Sequence, residues 1–236
     1  MVLVRPVMLV VVLASCGRFG FDPRGDASDL DAPLDASPAD PSLEALINFE
    51  GTTDDVAKGR TVSCVGGCPS TDAGSRGQVG TFNGSQCLLV PNAPEFETQS
   101  FTVALWFRAT DLATETMFSK PYMGAMTSMN SVELYKTTTG NVQFVTAGST
   151  GTGAGQFSDE LWHHVAATYA SRQVRTYFDG AARATATLTA SYAGDSLLIG
   201  CDIDIDNVTA LFVGQLDDVR YYSRALTATE IAALAQ

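Results

Sequence analysis

An all-β chain folded as an antiparallel two-sheet sandwich, with one short C-terminal helix, is the fold class that three observations predict. From residue 45 onward, short apolar runs alternate with breaks rich in Gly, Thr, Ser and Asn, as many short strands joined by turns do. One run alternates cleanly, with Phe101, Val103, Leu105 and Phe107 on one face. Only Thr227–Ala235 carries a helical pattern. Thr227 is placed to cap it, Glu230 stands three residues on, and Ile231 and Leu234 follow, which is a capping box before an apolar face.

Before the sandwich come two segments of another character. Residues 1–15 contain one charged side chain, Arg5, and the apolar run Val7–Leu13. Seven helical residues rise roughly 10 Å, too little for a hydrocarbon core of about 30 Å, so the run reads as a signal-peptide core. It ends in Leu13-Ala14-Ser15-Cys16, which resembles a bacterial lipobox. The resemblance implies that Cys16 is acylated and becomes the mature N-terminus. Gly17 in place of Asp implies the outer membrane, facing the periplasm or the cell surface. Residues 16–44 follow as Asp-, Ala- and Pro-rich chain. Such composition buries almost nothing and is expected to form a disordered acidic tether. The folded domain is then expected over residues 45–236.

Within that domain twelve segments read as strands: Leu46–Phe49, Val79–Phe82, Cys87–Val90, Phe101–Arg108, Thr116–Lys120, Val132–Lys136, Val142–Thr146, Trp162–Tyr169, Val174–Phe178, Ala184–Thr189, Ser196–Ile199 and Leu211–Tyr222. Asp179-Gly180 is a two-residue hairpin signal. Trp106 and Trp162, large aromatics among apolar neighbours, are expected in the core. The net charge of −12 argues against nucleic acid, whose phosphates need clustered cations. It also disfavours polyanionic ligands by repulsion.

Three ordered segments together resemble the LamG-like jelly-roll family, a branch of the concanavalin A-like lectin/glucanase superfamily. They are Gly80-Thr81-Phe82-Asn83-Gly84-Ser85 with Leu88–Pro91, Ser100–Arg108, and Trp162–Tyr169 with Tyr177–Gly180. The ending Phe212–Tyr222 with Arg224–Thr227 fits as well. The resemblance implies a jelly roll that binds sugars, heparin-like polymers or adhesion partners. It also implies one structural Ca²⁺ near the first strand, with Glu50, Asp54, Asp217 and Asp218 as the positions to match; hard oxygen ligands suit that ion.

Chemistry beyond this is sparse. Catalytic relatives of the fold carry Glu-x-Asp-x-x-Glu on a strand, and Glu95, Glu97 and Glu133 lack such partners. No Gly-x-Ser-x-Gly elbow stands at Ser196. His163 and His164 are adjacent, so a strand points them to opposite faces. Asp202, Asp204 and Asp206 have the spacing of a calcium loop, but Asn207 and Val213 stand where Gly and Glu belong; the segment reads as a solvated loop. If Cys16 is acylated, four cysteines remain, and an even count in an exported domain implies two disulfides. Three pairings are possible. Cys64 with Cys68 closes a small loop through two glycines, which leaves Cys87 with Cys201.

The function expected is a membrane-tethered, non-catalytic binding module at the cell envelope, for carbohydrate or for a cell-surface protein. A structural envelope protein without soluble ligand and a divergent glycoside hydrolase are the alternatives. Loops are where such modules bind; Tyr122 to Asn130, Gly148 to Gln156, and Asp202, Asp204 and Asp206 are the candidates.

Overall fold

Alternating apolar residues build two sheets face to face. The computed structural model describes residues 40–109, 111–122, 129–147 and 151–236. The leader 1–15, Cys16 and tether residues 16–39 lie outside the described residues. In chain order the strands are β1 (Leu43–Ile47), β2 (Ser63–Val65), β3 (Ser70–Gly74), β4 (Gly77–Asn83), β5 (Cys87–Val90), β6 (Ser100–Ala109), β7 (Glu115–Pro121), β8 (Asn130–Lys136) and β9 (Asn141–Val145). They continue as β10 (Thr152–Gln156), β11 (His163–Ala170), β12 (Gln173–Phe178), β13 (Ala181–Thr187), β14 (Leu197–Ile199), β15 (Asp202–Asp204), β16 (Asn207–Thr209) and β17 (Val213–Tyr222). Helix α1 (Ala228–Leu234) ends the chain. Thr227 accepts from Glu230 N and Glu230 reaches back to the cap, so the capping box forms.

One sheet of eight strands runs β13-β12-β11-β6-β17-β4-β3, with β1 also on β17. The other runs β10-β9-β8-β7-β14-β5-β2. Every pairing is antiparallel. Phe101, Val103, Leu105 and Phe107 of β6 face Val132, Leu134, Val142 and Phe144 in one buried cluster. Each such side chain contributes about 1.5–3 kcal/mol by leaving water. On the outer face of the eight-stranded sheet, Ile231 of α1 and Leu226 just before it pack against Ala104, Ala166 and Tyr177.

Several expectations are corrected. The fold begins before residue 45: β1 starts at Leu43, and Asp40 accepts from Arg224 at 2.7 Å. Trp106 is buried as expected, under α1, its Nε1 donating to Leu234 O at 3.2 Å, whereas Trp162 is only half-buried ahead of β11. Residues 152–156 form β10 rather than loop. Asp202–Asn207 is not a solvated loop: its flanks pair as β15 and β16, and Asp202 is 4% exposed. Ile205 and Asp206 turn that hairpin with φ of 47° and 63°, the left-handed pair of a type I′ turn. The Asp179-Gly180 turn has the same signature, with φ of 50° and 73°. Cys64 is bonded to Cys68, and Cys87 to Cys201.

Candidate functional site

The outer face of the seven-stranded sheet is divided in two. Over β5 and β14 it carries Leu198 and the Cys87–Cys201 bridge, and the β15–β16 hairpin covers this half with Ile203 and Val208. The half on β8 and β9, the open strip, carries no hairpin among the described residues, and the backbone at Gly151 lies against part of it. Val132, Leu134, Val142 and Phe144 point into the core, so period two sends Glu133, Tyr135, Gln143 and Val145 outward. All four are half-buried. Tyr135 stands opposite Gln143, and Glu133 opposite Val145.

Where hairpin meets open strip, a polar cluster forms. Asn130 Nδ2 donates to Asp202 Oδ2 at 2.7 Å and to Glu133 Oε2 at 3.1 Å. Thr116 Oγ1 donates to Glu133 Oε1 at 2.6 Å. Thr209 Oγ1 donates to Asp204 Oδ2 at 2.7 Å. Acceptors outnumber donors: Asn130 Oδ1 and Asp202 Oδ1 are buried without a hydrogen-bond partner among the described residues. Burial first, then the nearby charges of Asp202 and Asp204, pushes the Glu133 carboxyl up to about 7. Burial also raises Asp202. Burial and then the Glu133 charge raise Tyr135. At the far side a Cβ on Gly151 would stand 2.7 Å from Gln143 Oε1 and 3.2 Å from Tyr135 Oη; only a bare backbone fits over this pair.

Of the sequence-expected loop residues, Asn130, Asp202 and Asp204 are thus brought together. Tyr122 is half-buried at the same end of the β7–β8 hairpin, its N donating to Met129 O at 2.9 Å. Asp206 is exposed at the turn, away from the cluster's hydrogen bonds. Residues 123–128 and 148–150 of the other expected loops lie outside the described residues.

Of the acids expected to hold an ion, Asp217 and Asp218 stand on β17 of the eight-stranded sheet with the Glu50 charge near them, and Asp54 is engaged elsewhere. At a bulge β17 changes partner from β4 to β1, and Asp218 takes φ 49° there. Arg76, stacked 3.7 Å above the Trp106 ring, sets Nε 3.5 Å from Asp217 Oδ2 and Nη2 3.7 Å from Asp218 Oδ2. Arg220 Nη2 is 3.2 Å from Asp218 Oδ1. Glu50 Oε1 accepts from Gln78 N at 2.9 Å, and Asp54 Oδ1 from Val62 N at 2.8 Å. Burial, then Asp218, raises Asp217 to about 8, with Glu50 adding and Arg76 opposing. As arranged, these side chains fit two guanidinium groups and backbone amides rather than a divalent ion, which would sit beside Arg76. Among the described residues no group of three His, Cys, Asp or Glu side chains is set to hold a metal.

His163 and His164 do point to opposite faces. His163 bridges Asp159 at 2.9 Å and Asp179 at 3.0 Å. His164 lies edge-on to Trp106, and burial, then Arg220 and Arg76, lowers it to about 3.

A family model, Laminin_G_3 of the concanavalin A-like lectin/glucanases superfamily, matches residues 82–232. The chain belongs to this family. Its fold is shared with domain 4 of a GH43 extracellular arabinanase from Geobacillus stearothermophilus, solved with arabinotriose. That match has TM-score 0.66 and 20% identity, over 83% of this chain and 98% of that one. The binding domain of Paraclostridial Mosquitocidal Protein 1 matches with TM-score 0.64 and 14% identity, over 82% of this chain and 52% of that one. A Trypanosoma rangeli sialidase matches with TM-score 0.64 and 16% identity, over 82% and 32%. This Laminin_G_3 chain therefore spans about half of the second and a third of the third. No curated protein matches it.

Sequence reasoning missed Glu133, Tyr135, Gln143 and Thr116 as site residues. The available signal was a strand pattern with polar residues at every second place, Val132–Lys136 and Val142–Thr146, which marks an outward face without saying which part of it stays open.

Proposed function

We propose that this Laminin_G_3 chain is a non-catalytic glycan-binding module carried at the bacterial envelope on a lipid anchor, and that the open strip of β8 and β9 receives the glycan. The observation that carries the reading is the pairing of an aromatic plate, Tyr135, with an excess of oxygen acceptors along one edge. Sugars present apolar C–H faces and many hydroxyl donors. A tyrosine ring suits the first, and the half-buried carboxylates of Glu133 and Asp204 suit the second. Asn130, itself bonded to the buried Asp202, holds Glu133 in place. The arabinotriose-bound neighbour supports a carbohydrate ligand for such a fold. Calcium has no part in the recognition so described.

The hydrolase reading has one observation behind it, Glu133 and Asp202 sharing the Asn130 amide. Asp202 is 4% exposed, so it does not reach a substrate together with Glu133, and paired carboxyls must both reach the glycosidic bond.

The test is a glycan array probed with the full chain, once with calcium and once with chelator. Capture of a neutral glycan class in both conditions is the expected result. A blank array in both would remove the glycan reading and move the search to protein partners.

A further inference from the structure

Several acids of this chain that lie in or near its core have met a cation. Glu44 meets Lys58, Asp55 meets Arg60, Glu115 meets Lys136, and Asp217 meets Arg76. The cluster at the open strip differs. Among the described residues Glu133, Asp202 and Asp204 form no ion pair, and their charges act on one another instead. The lysines of β7 and β8 are turned to other uses. Lys120 and Lys136 are fully buried, the first held by Glu97 and the second by Asp111 and Glu115.

A second observation belongs to the same cluster. Asp202 and Asn130 are only 4% and 6% exposed, and each keeps its Oδ1 without a hydrogen-bond partner among the described residues. The side chains that do donate here, Thr116, Asn130 and Thr209, are all neutral. The cluster is therefore short of positive charge as well as of donors. Repulsion between carboxylates withdrawn from water is several times what it is in bulk. No ligand reaches the two buried oxygens. Their effect is felt at Glu133 and Asp204, the half-buried members, and the rise of the Glu133 carboxyl to about 7 is one sign of it.

We propose that among glycans the open strip binds most tightly those that carry free amino groups, with a sugar ring on Tyr135 and its ammonium against the carboxylates of Glu133 and Asp204. This rests on the glycan reading of the same strip and names the sugar class it prefers. A hydroxyl brings a donor and no charge, whereas an ammonium brings three donors and the missing charge. Charge-assisted hydrogen bonds are roughly twice as strong as neutral ones. Tyr135 stands two residues from Glu133 on the same outward face of β8, about 7 Å along the strand. One ring can thus lie on the tyrosine while its amino substituent meets Glu133, and the aromatic face itself attracts a cation. Neutral sugars keep the ring contact and the hydroxyl bonds and lose only the charge. Sulfated and uronic sugars are repelled by the same carboxylates. A basic peptide would be drawn to them, but the tyrosine plate beside them is the contact a sugar ring uses.

The experiment titrates the full chain at neutral pH with three oligosaccharides of equal length. A cello-oligosaccharide carries a hydroxyl at the tested position, an N-acetylated chito-oligosaccharide an amide, and a fully deacetylated one an amine. The deacetylated oligomer should bind about tenfold more tightly than either neutral one, the gain of one charge-assisted contact. That ratio should shrink as salt rises from about 0.01 M to about 1 M and the screening length falls from about 30 Å to about 3 Å. In Glu133→Gln the ratio should fall to about one, and in Asp204→Asn it should fall part of the way. A ratio taken within one variant is unmoved by a general loss of binding. Equal binding of all three oligomers by the wild type would overturn the preference and leave the glycan reading standing. An undiminished ratio in Glu133→Gln would overturn it too, as would no binding of the deacetylated oligomer, while the array of neutral glycans decides the glycan reading separately. A lysine oligomer bound as tightly as the deacetylated sugar, with no loss in Tyr135→Ala, would also overturn it and give the strip to a basic peptide.

Discussion

At the scale of single residues, Glu133 joins local structure to solution behaviour. Its carboxyl lies on an outward strand position, closed in by Thr116, Asn130 and the β15–β16 hairpin. Burial and the Asp202 and Asp204 charges raise it from an ordinary 4.5 to about 7. A carboxyl raised on folding binds a proton more tightly in the folded state. The stability it supports is therefore fully present below about 4.5 and is lost as pH rises through about 7. Asp217, raised to about 8, acts in the same direction. Melting Glu133→Gln beside the wild type from pH 5 to pH 8 checks this: the variant should gain relative stability as pH rises, and a constant difference would contradict it. Little of this was legible beforehand. Glu133 reads as an isolated acid in sequence, because its partners come from β7 and from a hairpin seventy residues away. Asp202 and Asp204 were visible through their spacing. Their burial was not, since a β-branched Ile205 at positive φ gives no turn signal of the Asn-Gly kind.

At the scale of elements, two attachments set what is covered. The β15–β16 hairpin is tied down by Cys87–Cys201, a bridge across 114 residues. In the chain-entropy model such a closure contributes about 4–5 kcal/mol. Cys87→Ser with Cys201→Ser should lower the denaturant midpoint accordingly and weaken glycan capture, because Asp202 follows Cys201 directly. Unchanged capture in the unbridged chain would show that the hairpin does not build the site. Helix α1 covers the other sheet and depends on its cap. Thr227→Ala should cost about 1 kcal/mol, read as a fall of about 2–4 °C in Tm for a domain of this size. The β17 bulge gives a third test. With Arg76 on Asp217 and Asp218, chelator should leave Tm unchanged and Arg76→Ala should lower it; a fall on chelation alone would restore the calcium ion the family resemblance suggests. Most strands that carry core residues were legible from period two, and α1 from its capping box; β10, Gly-rich around the buried Ala154, was read as a loop. β2, β3, β15 and β16 were missed because they are short, and β2 and β3 are largely exposed; their pairing comes from neighbours rather than from their own propensity.

At the scale of the whole molecule, the outer faces of the two sheets are covered differently. Helix α1 lies on the eight-stranded sheet, and the seven-stranded sheet carries the β15–β16 hairpin over one half and the polar strip of β8 and β9 on the other. Among the described residues no helix is long and apolar enough to cross a membrane. The anchor we propose rests on Leu13-Ala14-Ser15-Cys16, and mass spectrometry of the mature N-terminus should find Cys16 acylated; an unmodified Cys16 would remove it. The most direct test of the central claim is a glycan array probed in parallel with the wild type and with Tyr135→Ala. The expected result is a neutral glycan captured by the wild type and lost in Tyr135→Ala, with the Tm of both unchanged. Capture that survives in Tyr135→Ala would contradict the assignment of the open strip as the glycan site.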